Sequence, residues 1–83
     1  MTVIRLLGSE GNLSSATNMG FAKLVRVLNN KTSVQVITQK NAGGTTLGTV
    51  TLAAGEIAYI AKAPTDTLTG VATSLAVSVA FAN

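Results

Sequence analysis

Apolar residues recur with a period of two along most of this chain, the spacing of a pleated strand and not of a helix. The clearest case is Leu75 to Ala82, where Leu75, Val77, Val79 and Phe81 fall on one face and Ala76, Ser78, Ala80 and Ala82 on the other. The large side chains are expected in the core, and the small-residue face is expected to meet another sheet or subunit closely. Between Gly48 and Leu68, Val50 and Leu52 alternate with Thr49 and Thr51, and Ile57, Tyr59 and Ala61 alternate with Ala58 and Ile60. Ala53-Ala54-Gly55 breaks the run, and Gly55 can take a positive φ without steric cost, so the pattern predicts a β-hairpin around that turn.

Earlier in the chain, Thr2 to Leu7 and Phe21 to Leu28 read as strands, the latter because β-branched Val25 and Val27 outweigh a short helical alternative. Asn29-Asn30-Lys31-Thr32 then leads into Ser33 to Lys40, and the two runs predict a second hairpin. In Ser33 to Lys40, Val34, Val36 and Thr38 oppose Ser33, Gln35, Ile37 and Gln39, so one face is expected to be core and the largely polar one wet. Asn41 to Gly44 predicts a turn into a strand from Thr46 to Leu52. Pro64 presets the first central position of a type I turn and ends the strand before it, while Asp66 and Thr67 can bond nearby amides. A polar segment, Thr69 to Ser74, precedes the last strand.

Gly8 to Gly20, GSEGNLSSATNMG, is rich in turn-forming residues and predicts an extended loop or arm. Leu13 and Met19 are its large apolar residues, and they either pin the loop to its own domain or reach a neighbouring subunit. With six or seven strands and no helix, the chain is expected to form a single domain over 1–83, a small antiparallel β-sandwich or Greek-key barrel.

Composition changes this picture in one respect. A chain of 83 residues buries only about 60–65% of the surface its unfolded form exposes. It has no cysteine for a disulfide framework and, lacking histidine as well, no common zinc framework. Hydrophobic residues make up 47% and charged residues 11%, against roughly 25% charged in an average domain. A surface so poor in charge is expected to be covered by other subunits, which makes a homo-oligomer the expected state. Leu13 and Met19, with Ala76, Ser78, Ala80 and Ala82, are the candidate contacts.

Charge and candidate chemistry narrow the functional classes. The net charge of +3 comes from six dispersed basic residues against Glu10, Glu56 and Asp66, so nucleic acid is not an expected partner. No run reaches the roughly 20 apolar residues of a membrane span, and the amino terminus is too weakly apolar for a signal peptide, so the chain is expected to begin near Met1 and to be made in a cytoplasm. Nucleophilic catalysis would rest on Ser or Thr activated by Lys, and acid–base work on three carboxylates. Lys62 and Asp66 are expected as an exposed ion pair worth at most about 1 kcal/mol. GSEG and AGGTTLGT lack the lysine and the strand-to-helix setting of a phosphate loop and read as turns. The scattered acids do not suit calcium. No catalytic, cofactor-binding or metal-binding residue is assigned, and the chain is not expected to be an enzyme. Phe21, Tyr59 and Phe81 are expected in the core, which counts against a base-stacking groove.

The runs AKLVRVLNNKTSVQVITQK, GTVTLAAGEIAYIAKAPTDTL and LAVSVAFAN resemble small virion proteins of tailed bacteriophages, particularly those infecting marine cyanobacteria. The resemblance covers roughly Gly20 to Asn83, and its most specific part is Ala54-Gly55-Glu56 followed by an apolar strand and Lys62 to Thr67. Ala61 departs from that pattern, which often has an acidic residue before the lysine. The resemblance implies a non-enzymatic decoration or accessory subunit of the virion, assembled in the host cytoplasm with capsid or tail proteins as partners. The alternatives from other classes are a fibre-tip or surface module that binds a host glycan and, third, a regulatory nucleic-acid binder, two readings that exposure of Tyr59 would favour.

Overall fold

The computed structural model describes residues 3–70 and 74–82. These residues form an all-β sandwich of antiparallel strands: β1 (Ile4–Leu6), β2 (Gly11–Asn12), β3 (Leu24–Asn29), β4 (Gln35–Lys40), β5 (Thr46–Leu52), β6 (Ile57–Ala61), β7 (Thr67–Thr69) and β8 (Ser74–Phe81). One sheet has the order β1-β8-β3-β6, with β2 also paired to β8, and the other has the order β5-β4-β7. Thr2 of the first expected strand and residues 71–73 of the expected polar segment lie outside the described residues.

Of the hairpins expected from the sequence, neither forms. β5 pairs with β4 and β6 pairs with β3, so the Ala53 to Glu56 turn carries the chain from one sheet to the other. Its backbone explains why. Glu56 N donates to Ala53 O at 3.0 Å, and Gly55 alone at the centre has positive φ, 78°, which makes a type II turn whose twist does not suit a two-residue hairpin. β3 and β4 are likewise in different sheets, and the hairpin that does form is β4–β5, closed by Asn41 N donating to Thr45 O at 2.9 Å. The Pro64 corner forms as expected, with Asp66 N donating to Ala63 O at 3.0 Å.

Asn29 fastens the two crossovers together. Its buried side chain donates from Nδ2 to Ser33 O, Leu52 O and Ala53 O at 2.9–3.0 Å and accepts from Lys31 N at 3.0 Å. A buried amide is tolerated because its bonding capacity is met. The main chain adds to this, since Gly55 N donates to Asn29 O and Asn29 N to Glu56 O.

The interior is filled by Leu13, Ala22, Val25, Val27, Ile37, Leu52, Leu68 and Ala76. Burying a Val, Leu or Ile side chain is worth roughly 1.5–3 kcal/mol relative to exposure. Strand pairing shows which face supplies them. Val25, Val27 and Asn29 stand opposite Ser78, Ala76 and Ser74, so the small-residue side of β8 points inward and Leu75, Val77, Val79 and Phe81 point outward. The same inversion occurs in β4, where Gln35 and Ile37 are buried and Val34 and Val36 are exposed. Size matching between the layers accounts for both, because the bulk of the interior comes from Ile37, Leu52, Leu68 and the loop residue Leu13, against which β8 can present only small residues at normal packing density. Gln35 is buried because Ser74 Oγ donates to its Oε1. Gly70 sits in the same crowded region, where an added Cβ would come within 2.8 Å of Ile37 Cδ1 and Ser74 Oγ.

The Gly8 to Gly20 segment, expected as an extended loop or arm, is bonded to both sheets. β2 lies against β8, and Thr17 forms a two-way bridge with Leu68, at 3.1 and 2.9 Å, beyond the edge of β7. Leu13, between these ties, exchanges main-chain bonds with Ser74 and Gly70.

Candidate interaction surface

The outward face of the larger sheet is largely apolar, with Arg26 within it and Glu10 and Asn12 at its β2 edge. Residues directly opposite on paired strands share a face, and the registers give rows Ile57–Leu28–Leu75–Asn12, Tyr59–Arg26–Val77, Leu6–Val79 and Ile4–Phe81. Leu6, Ile57, Tyr59 and Phe81 are exposed, whereas Val77 and Val79 beneath them are only 5% and 2% exposed. The face therefore has a dry centre with open apolar residues around it. Tyr59 and Phe81 come together across β3, with ring centroids 5.6 Å apart and a tilt of 48°, a favourable aromatic geometry.

Among the described residues a single ion pair crosses this surface. Glu10 directly precedes β2, on the far side of β8 from β3, and its Oε2 reaches Arg26 Nη1 at 3.6 Å. Arg26 and Val77 are register partners, so the salt bridge passes over Val77 and covers it. The two charges flank β8 and neutralise each other within the chain.

At one end of the face the backbone is strained. Met19, Gly20 and Phe21 have successive positive φ values of 55°, 69° and 62°, a conformation that is uncommon for a bulky residue. Asn18 holds it, because its Oδ1 accepts from Gly20 N and Phe21 N at 3.0 and 3.1 Å and its carbonyl accepts from Ala22 N. The result turns Phe21 into solvent. Expected in the core, Phe21, Tyr59 and Phe81 are instead 63%, 41% and 54% exposed. The interior between these sheets is filled by aliphatic side chains, and the positions of Tyr59 and Phe81 in their strands put them on the outward face.

The residues singled out from sequence as contacts are dispersed by the fold. Leu13 and Ala76 are 0% exposed and belong to the core, so neither offers surface to a partner. Met19 is half-buried and packs against the core. Ser78 and Ala80 are half-buried on the inward side of β8, and Ala82, just beyond β8, is exposed. The small side chains of β8 face inward and its large ones face outward. Periodicity separates two faces but does not say which is inside; the signal that could have done so is the supply of large aliphatics in β4, β5, β7 and the Leu13 loop. Comparison with protein-family models, with curated proteins and with solved structures finds no match.

The Lys62–Asp66 corner also differs from expectation, because both residues are buried. Lys62 Nζ donates to Ala63 O and Pro64 O at 3.3 and 3.4 Å, while Asp66 Oδ2 accepts from Gln39 Nε2 and Ala63 N, each at 3.1 Å. Burial lowers the Lys62 pKa from its ordinary value, and the Asp66 charge partly opposes that shift. All three carboxylates thus have structural partners, since Glu56 Oε1 accepts from Ala53 N at 2.8 Å at the type II turn. No helix among the described residues is long and apolar enough to cross a membrane.

Proposed function

We propose that this chain is a non-enzymatic structural subunit of a tailed-phage virion, decorating or cementing the capsid or tail through contacts repeated over many copies. The observation that supports it is the apolar outward face of the β1-β8-β3-β6 sheet, an exposed surface of the kind that marks protein contacts. Repetition makes a modest contact effectively permanent. The resemblance of Gly20 to Asn83 to small virion proteins supplies the setting.

Exposure of the aromatics favours a second reading, a surface module that binds a host glycan. Phe21 and Phe81 border a shallow hollow of about 520 Å³ with Lys23, Leu24 and Ser78, which offers ring faces beside polar groups. Adding the purified chain to intact particles that lack it separates the two. Saturable co-sedimentation, lost in a Tyr59→Lys variant, is the expected result. Failure to bind particles, together with glycan binding abolished by Phe21→Ala, would replace the virion reading with the second one.

A further inference from the structure

We infer that the apolar face of the larger sheet is a homotypic interface, on which a second copy of this chain packs face to face about a two-fold axis running along β8. This names a partner for the surface on which the assembly reading rests. Three observations select a second copy.

The first is charge placement. Arg26 lies on β3 to one side of β8, and Glu10 lies to the other side, both at the level of Val77. A two-fold axis in the plane of the interface and parallel to β8 exchanges the two sides. It sets Glu10 of each copy over Arg26 of the other, so two internal salt bridges become one alternating ring of four charges. The axis sets β8 of one copy over β8 of the other and β3 over the β1–β2 edge, so Leu75, Val77, Val79 and Leu6 meet apolar residues, Leu28 comes over Asn12, and β6 lies beyond the partner's edge strand. A partner carrying a net charge would find no counter-charge on this face.

The second is area. The molecule extends 32 × 31 × 19 Å and exposes 4661 Å². One of its two broad faces is roughly a quarter of that surface, enough for the approximately 800 Å² that each partner gives to a standard interface. The third is the pattern of exposure. Val77 and Val79 are already dry at the centre, and Leu6 and Phe81 stand exposed beside them, within the area that this closure removes from water.

The test uses the charge ring. The Arg26→Glu variant carries two acids at these positions and the Glu10→Arg variant two bases, so homodimers of either one oppose like charges. An equimolar mixture restores opposite charges wherever positions 10 and 26 of one copy meet those of the other. Sedimentation velocity over a dilution series is expected to show a dimer for the unaltered chain. Each single variant should dissociate with a constant raised about tenfold or more, and the mixture should recover the dimer. Thermal melts establish that both variants fold, and if either does not, Leu6→Lys on the same face and Val36→Lys on the other sheet decide, the first breaking the dimer and the second leaving it intact. A monomeric unaltered chain, a mixture that stays dissociated although both variants fold, or a dimer broken by Val36→Lys and not by Leu6→Lys would overturn the inference. Particles are absent from this experiment, so a dimer that ignores particles would count against the virion reading alone.

Discussion

The two sheets turn very different outward faces to their surroundings. On the β5-β4-β7 sheet, rows Val36–Thr51, Thr69–Thr38–Thr49 and Thr67–Lys40–Thr46 make a threonine-rich surface, which water solvates readily and which carries β-branched residues suited to a strand. On the larger sheet the corresponding positions hold Leu, Ile, Val, Tyr and Phe, with one neutralised ion pair. Both sheets share one interior and one chain, so core packing cannot be the source of the difference. It teaches that the shared core does not set what a sheet turns outward: the larger sheet leaves Leu6, Ile57, Tyr59 and Phe81 exposed.

The sharpest way to break this comparison is to place the same charge on both faces. Val79→Asp puts a carboxylate among Leu6, Leu24 and Phe81 and is expected to cost roughly 3–5 kcal/mol. Thr49→Asp should stay within about 0.5 kcal/mol. Urea midpoints at unchanged slope measure both, and equal losses would mean that the two faces do not differ in this way.

A smaller effect sharpens how each strand is kept in its sheet. Asn29→Ala removes three donated bonds and one accepted bond at the crossovers and is expected to cost about 2–3 kcal/mol. Hydrogen exchange should show the loss first at Ala53 to Glu56, and equal protection there in both proteins would remove Asn29 from this role.

The smallest effect belongs to the corner between β6 and β7, which belongs to neither face. The folded-state pKa of Lys62 lies below its unfolded value, so between the two the unfolded chain binds more protons and stability rises with pH. The gain is expected on approaching the ordinary lysine value of 10.5. It should vanish in Lys62→Met, and the same rise persisting in that variant would assign it to another group.

Much of the architecture was legible in the residues. Alternation located β3, β4, β5, β6 and β8 to within a few positions, since half-buried strands must show it. β7 and β2, with three and two residues, are too short to show a period and exist because Thr38, Gln39, Leu75 and Ala76 offer them partners. Partnering itself was hidden. Gly55 announces a turn, but the choice between a hairpin and a crossover depends on Ala54 having no positive φ and on Asn29 meeting Leu52 and Ala53 from 23 and 24 residues away. Ala76 was read as a contact for the related reason that it could be assigned to the core only once Ile37, Leu52 and Leu68 were known to face it. Phe21 could not be placed because its exposure follows from the Asn18 bonds.

The position of β8 also sets a timetable. It is the middle of the larger sheet, bonded to β1, β2 and β3, yet it is the last of the eight strands to leave the ribosome. Until then only the β4–β5 pair joins neighbours in sequence, so folding must await long-range closure, as in other sandwiches. During that wait the run Leu24–Asn29 has no sheet to enter from the β8 side. Its one charge is Arg26, which interrupts an otherwise apolar β-forming stretch and acts as a gatekeeper against pairing between nascent chains. The residue that later bridges Val77 to reach Glu10 thus guards the strand before Val77 has been made.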